Sequence, residues 1–217
     1  MLDLRKVNAN IYCEHDDDCY SEDKCFNGLC AIKLNETEYM MKTEMPQKIW
    51  RKFSKLDFDK LILDKSTSKD AVCYYNNGTL FNINDDAPMT CITKSHAIKI
   101  CDIMGGRLPT KQEYENINKG TKRRDCENTV MAGAPKKKIK DYINSFGCGT
   151  ASFHNICDKT SGNSEQGYCD LIGNVRELTQ DQLAYGGSFT TGLEYLHTEY
   201  NIAPSVDTGF RCIFKDK

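Results

Sequence analysis

Residues 166–189 read QGYCDLIGNVRELTQDQLAYGGSF, and residues 204–214 read PSVDTGFRCIF. Glycines 173, 186, 187 and 209 punctuate a run of acidic, amide and aromatic residues. Such a run makes a poor helix, and each glycine marks a backbone position of special geometry or close approach. It is read together with Arg107-Leu108-Pro109-Thr110, which opens a helix upstream.

The chain has 217 residues, enough for one large domain, or for one domain and a small module. Its formal net charge is -2, with both signs interspersed, so no nucleic-acid partner is expected. No apolar run reaches the roughly 18 residues of a membrane span. The basic runs at Lys122–Arg124 and Lys136–Lys138 read as solvated loops. Twelve cysteines, an even number without a C-x-x-C pair, read as six disulfides rather than zinc sites. Disulfides imply an extracellular, cell-surface or periplasmic location. Residues 1–12 carry no apolar leader core, so we expect that a leader has been removed. Asn35-Glu36-Thr37 and Asn77-Gly78-Thr79 match the N-glycosylation sequon.

Composition divides the chain into a cysteine-rich module (1–34), a partly helical linker (35–70) and a main domain (71–217). The module holds Cys13, Cys19, Cys25 and Cys30, which allow three connectivities; alternation, Cys13–Cys25 with Cys19–Cys30, is one of them. Its acidic run Asp16–Asp18 lacks the EF-hand spacing and reads as exposed loop. In the linker, Ile49, Trp50, Phe53, Leu56, Leu61 and Ile62 recur at roughly helical spacing, with Trp50 packing on the main domain. Residues 71–83 read as a hairpin turning at Asn77-Gly78, bracketed by Cys73 and Cys91 as plausible partners. Residues 93–104 predict a helix with Ala97, Ile100, Cys101 and Met104 on one face, stopped by Gly105-Gly106. Thr110 and Glu113 form a capping box that starts a second helix, ended at Gly120. From Gly120 to Gly167 we expect disulfide-linked loops with a short helix near Lys138–Phe146. The four histidines (15, 96, 154, 197) form no ligand motif and are assigned no chemistry.

The blocks RLPT with Glu113-Tyr114, D170-LIGNVREL, GGSF at 186–189 and GFRC at 209–212 occur in this order. In them the chain resembles the formylglycine-generating-enzyme (sulfatase-modifying factor) family over roughly residues 85–217. The resemblance implies an α+β, C-type-lectin-like fold: two helices, a small twisted antiparallel sheet and long disulfide-linked loops. It implies a Cys101–Cys212 disulfide between first helix and last strand. That bond closes a loop of more than 100 residues, and by chain entropy contributes on the order of 4–5 kcal/mol. The resemblance also implies a structural calcium ion on the Asp170 side chain, the Gly173 and Val175 carbonyls and the Glu177 carboxylate. Oxygen donors of this kind suit calcium. The alternative is that Asp170 and Glu177 merely hydrogen-bond a tight loop.

The family's catalytic feature does not carry over. Its active members hold copper on two cysteines spaced C-x4-C after the GGS block, as Cu(I) requires of soft thiolates. Those positions here are Thr191 and Leu196, so no copper is expected. Arg176 stands where the family has an aromatic residue. We therefore expect an exported, non-catalytic ligand-binding protein that recognises a protein or glycan through the segment between GGSF and GFRC. Tyr195, His197, Glu199, Tyr200 and Asn201 are its candidate contacts. Packing on the sheet is the competing reading for any one of these tyrosines. Proteins diversified by retroelements resemble this family and vary in this segment. The alternative function is an enzyme, of the formylglycine-generating family or a relative with different oxidoreductase chemistry. The histidine cluster of the iron-dependent relatives is absent, as is a nucleophile-elbow signature.

Overall fold

The computed structural model describes residues 11–53, 75–76, 79–80, 84–118, 153–158, 163–181, 183–190, 200–201 and 205–216. Among them are three α-helices: α1 (Gln47–Phe53), α2 (Lys94–Ile103) and α3 (Lys111–Asn118). Five strands, β1 (Lys24–Phe26), β2 (Leu29–Lys33), β3 (Glu38–Met41), β11 (Ile213–Lys215) and β6 (Gly106–Arg107), lie in that spatial order as one antiparallel sheet. A second sheet runs β10 (Thr208–Gly209), β7 (Arg176–Leu178), β8 (Leu183–Tyr185), β9 (Tyr200–Asn201), with only the β10–β7 pair parallel. The short pair β4 (Tyr75–Asn76) and β5 (Thr79–Leu80) flanks Asn77-Gly78.

The α+β class and the lectin-like arrangement are those implied by the motifs, with α1 as a third helix. The three-part division by composition is not how the sheet is built. Strands β1 and β2 turn at Asn27-Gly28, where φ is 54° and 89°, as a two-residue hairpin turn requires. They continue directly into β3, which pairs with the C-terminal strand β11 through Met40↔Ile213. The cysteine-rich segment and the start of the linker are thus integral to the main sheet.

That sheet is covered on both faces, because successive side chains point to opposite sides. Leu29, Ala31, Tyr39, Met41 and Phe214 join one core with Trp50 of α1 and Ala97, Ile100 and Cys101 of α2. Ile32, Met40 and Ile213 join the other with Tyr114 and Ile117 of α3 and with Tyr168, Leu171 and Tyr185. Trp50 packs in a T-shape with Phe210, ring centroids 5.9 Å apart. Its backbone neighbourhood is sewn by Met45 N–H to Phe210 O and Met89 N–H to Met45 O, both 2.7 Å.

Helix α2 starts at Thr93, whose hydroxyl accepts the His96 amide, and stops at Gly105, φ 80°. Helix α3 starts on the reciprocal pair of Thr110 and Glu113, and the Glu113 carboxylate also binds Arg107. The disulfides are Cys13–Cys25, Cys19–Cys30, Cys101–Cys212 and Cys157–Cys169, and no described cysteine is free. Cys91 is also disulfide-bonded. Cys73, the segment 54–74 and the helix expected near Lys138–Phe146 lie outside the described residues. No described helix is long and apolar enough to cross a membrane.

Candidate functional site

Residues 170–175 form a tightly wound loop in which Asp170, Gly173 and Asn174 all have positive φ, at 53°, 85° and 55°. The strain at the two non-glycine positions is offset by side-chain contacts. Asp170 accepts the Cys157 amide at 2.7 Å, and the Asn174 side chain bridges the His154 amide (2.9 Å) and Glu44 (3.1 Å). Gly173 N–H reaches Gly186 O at 2.8 Å, and Phe189 N–H reaches Asn174 O at 2.9 Å, so the loop is laid against the GGSF block. Gly186, φ 91°, is obligatory there: a Cβ would lie 2.6 Å from Tyr114 Oη and 2.7 Å from Leu171 O.

Under this loop the sheet buries an ion cluster. Arg211 donates to both oxygens of Glu177 and to the carbonyls of Met41, Lys42 and Cys169. Both partners of the pair are wholly enclosed. Glu44, fully buried after β3, accepts the Val175 amide and the Asn174 side chain. Burial, then the charges of Asp170 and Glu177, push the Glu44 carboxyl well above the usual range. Burial likewise pushes Asp170 up to about 6 and raises Glu177. For Arg211, burial opposes the charge, and Glu177 more than restores it.

The donors expected for calcium are all oxygens, the atoms that such an ion takes. A carboxylate has about four lone-pair sites. Arg211 engages both oxygens of Glu177, which leaves one lone pair on each, and the Cys157 amide engages one oxygen of Asp170, which leaves the other. Three carboxylates around one guanidinium carry excess negative charge when ionised, which a divalent cation offsets.

A second polar centre lies where GGSF meets PSVDTG. Asp207, 1% exposed, accepts the hydroxyls of Ser205 at 2.6 Å and Ser188 at 2.7 Å, that of Thr190, and a guanidinium N–H of Arg176. Burial alone would raise the Asp207 carboxyl; the Ser205 and Thr190 hydroxyls, Arg176 and Ser188 outweigh it and hold it below the usual range. Arg176, at the position of the family's aromatic residue, thus serves as the ion-pair partner of Asp207. The hub joins residues 188–190 to 205–208, on either side of the segment expected to make contacts.

Of the candidate contacts, Tyr200 and Asn201 form β9, paired to β8 through Ala184↔Tyr200 and Leu183↔Asn201. Tyr195, His197 and Glu199, like Thr191 and Leu196, lie outside the described residues. Beside the GGSF block the structure brings in a loop that sequence reasoning passed over. Phe153 meets Phe189 edge-on at 6.0 Å, and His154 Nδ1 lies 3.2 Å from Asp158 Oδ2. The only sequence signal for it was a histidine followed four residues later by an aspartate, too common a pair to stand out.

The sulfatase-modifying factor enzyme 1-like domain family matches residues 30–215, a wider span than the 85–217 read from the motifs. No curated protein matches the sequence at a significant level. Among solved structures, Treponema denticola variable protein 1 superposes with a TM-score of 0.55 at 16% identity, over 82% of this chain and 84% of that one. CarF gives 0.55 at 14%, over 88% and 95%. PvdO from Pseudomonas aeruginosa gives 0.57 at 14%, over 83% and 80%. At such identities the likeness is one of fold.

Proposed function

The chain belongs to the sulfatase-modifying factor enzyme 1-like domain family, and from that premise we propose an exported, non-catalytic ligand-binding protein. It keeps the scaffold of the family without the copper chemistry of its active members. The observation that carries this reading is the pair Thr191 and Leu196 at the positions where those members place cysteines. A hydroxyl and an alkyl group cannot replace two soft thiolates on Cu(I). Cys212, nearby in sequence, is committed to Cys101.

Support for recognition comes from the frame around residues 191–204. Asp207 fixes Ser188 and Thr190 on one side and Ser205 on the other. Strand β9 anchors Tyr200 and Asn201 to β8. A rigid frame lowers the ordering cost of binding. The fold likeness to a protein named for its variability accords with a display segment here. Export accords with the disulfides. Calcium, on Asp170, Gly173, Val175 and Glu177, has a structural role, holding the loop beneath the GGSF block.

The test is turnover. The oxidised protein is incubated with Cu(I), oxygen and a peptide carrying a sulfatase-type cysteine, and the peptide is weighed by mass spectrometry. The reading expects unchanged peptide. Conversion of the cysteine to an aldehyde that depends on this protein would overturn it.

A further inference from the structure

The loop at residues 153–158 is fixed at an unusual number of points for six residues. Its His154 amide binds Asn174, its Ile156 amide binds Asp86 O at 2.8 Å, and its Cys157 amide binds Asp170. Asn155 Oδ1 accepts the Asn84 side-chain amide at 2.6 Å, and Cys157 is bonded to Cys169. Ile156 and Cys157 are buried, whereas Asn155 and Asp158 are exposed and Phe153 and His154 half-buried. The backbone is thus held from below, and four side chains of mixed chemistry are kept toward the outside.

Those side chains differ in chemistry. Phe153 and Phe189 of the GGSF block pack edge to face, which holds the Phe153 ring in place. His154 Nδ1 faces the Asp158 carboxylate, so in the neutral imidazole the proton sits on Nδ1 and Nε2 is left as an acceptor. Asn155 receives its bond on the oxygen, which leaves its amide nitrogen as a donor. Asp158 adds a carboxylate acceptor. The set contains one phenyl ring, two acceptors and a donor, with no lysine or arginine among its members.

We propose that Phe153, His154, Asn155 and Asp158 form a binding site for a neutral carbohydrate. A pyranose ring has an apolar C–H face that packs on an aromatic side chain and a rim of hydroxyls that both donate and accept. The Asp158 carboxylate disfavours an anionic ligand. Most of the ordering cost is already met, because five ties hold the loop before any ligand arrives. The inference rests on the reading of the protein as a ligand binder and narrows its ligand class.

The wild-type protein and the variants Phe153→Ala and His154→Ala are applied to an array of immobilised neutral glycans, with a thermal melt of each. Wild type is expected to bind at least one glycan, and each variant to lose about tenfold or more in affinity while its melt stays close to wild type. Should one variant fail to fold, the other carries the test. Absence of binding across the array, or retention of affinity within about twofold in the folded variants, overturns the proposal. Capture of a protein ligand with no glycan bound would also overturn it while sparing the non-catalytic reading, which falls only on copper-dependent turnover.

Discussion

Replacing Arg211 by Met removes the guanidinium packed against Glu177, beneath Glu44 and Asp170. Glu177 then stays buried without its ion-pair partner, and the carbonyls of Met41, Lys42 and Cys169 lose their donor. Breaking a buried pair from one side costs about 3–5 kcal/mol. For a chain of this size each kcal/mol moves the melting temperature by about 2–4 °C, so a fall of roughly 6–20 °C is expected. The size follows from the joints Arg211 makes: the end of β3, the strand β7 and residue 169 all meet on one side chain. Arg211→Lys keeps the charge but not the planar fork, and should fall between wild type and Arg211→Met. Urea unfolding of the oxidised proteins, followed by far-ultraviolet circular dichroism, measures the loss as a shift of midpoint at constant slope. Pairing Arg211→Met with Glu177→Leu removes the stranded charge and should restore much of the stability. A loss below about 1 kcal/mol, or a double variant no better than the single one, would refute the claim that this pair organises the core.

The raised carboxyls set a pH dependence in the absence of calcium. Asp170 moves from 3.8 to about 6 on folding, so the folded state holds a proton that the unfolded chain has released between those values. Its contribution is therefore fully present below about pH 4 and is lost as pH rises through 6, about 1.4 kcal/mol between pH 5 and pH 7. Glu44, also raised, acts in the same direction. Urea midpoints at pH 5, 6 and 7 should fall in that order, and Asp170→Asn should flatten the trend; a midpoint rising with pH contradicts it. Calcium should reverse the trend at pH 7. At a hundredfold excess over its Kd it should add about 2.7 kcal/mol, and titration calorimetry should find binding that Asp170→Asn abolishes. Gly186→Ala places a methyl within 2.7 Å of both Tyr114 Oη and Leu171 O at φ 91°, and should cost about 2–4 kcal/mol. An unchanged melt would mean that the GGSF block is not seated as described.

The parts of the fold that can be read from the sequence are those with local causes. The capping residues Thr93, Thr110 and Glu113 and the stop at Gly105 give helices α2 and α3 directly. The hairpin expected from Asn77-Gly78 agrees with the antiparallel pairing of β4 with β5 on either side of it. Strand β3 could not be read that way. Half-buried strands alternate polar and apolar residues, but Tyr39 and Met41 enter one core while Met40 enters the other, so no alternation is left. Glu44 was equally hidden. A glutamate between Thr43 and Met45 looks solvated, and it is the long-range pairing of β3 with β11 that brings it under Asn174 and Val175. The site divides in the same way. A motif singles out Asp170, Gly173, Val175 and Glu177, whereas nothing in the sequence singles out Asp207, two residues before GFRC. The His154–Asp158 pair gains meaning only through the distant partners that fix its loop, Asp86, Asp170 and Asn174.

On the proposed reading, this chain keeps the family scaffold and lacks the copper site on which the family's active members depend. Competition titration of the oxidised protein with Cu(I) against a chromophoric chelator tests this directly. The chelator is expected to keep its copper at every protein concentration, because Thr191 and Leu196 offer no thiolate. Withdrawal of one Cu(I) per chain would contradict it.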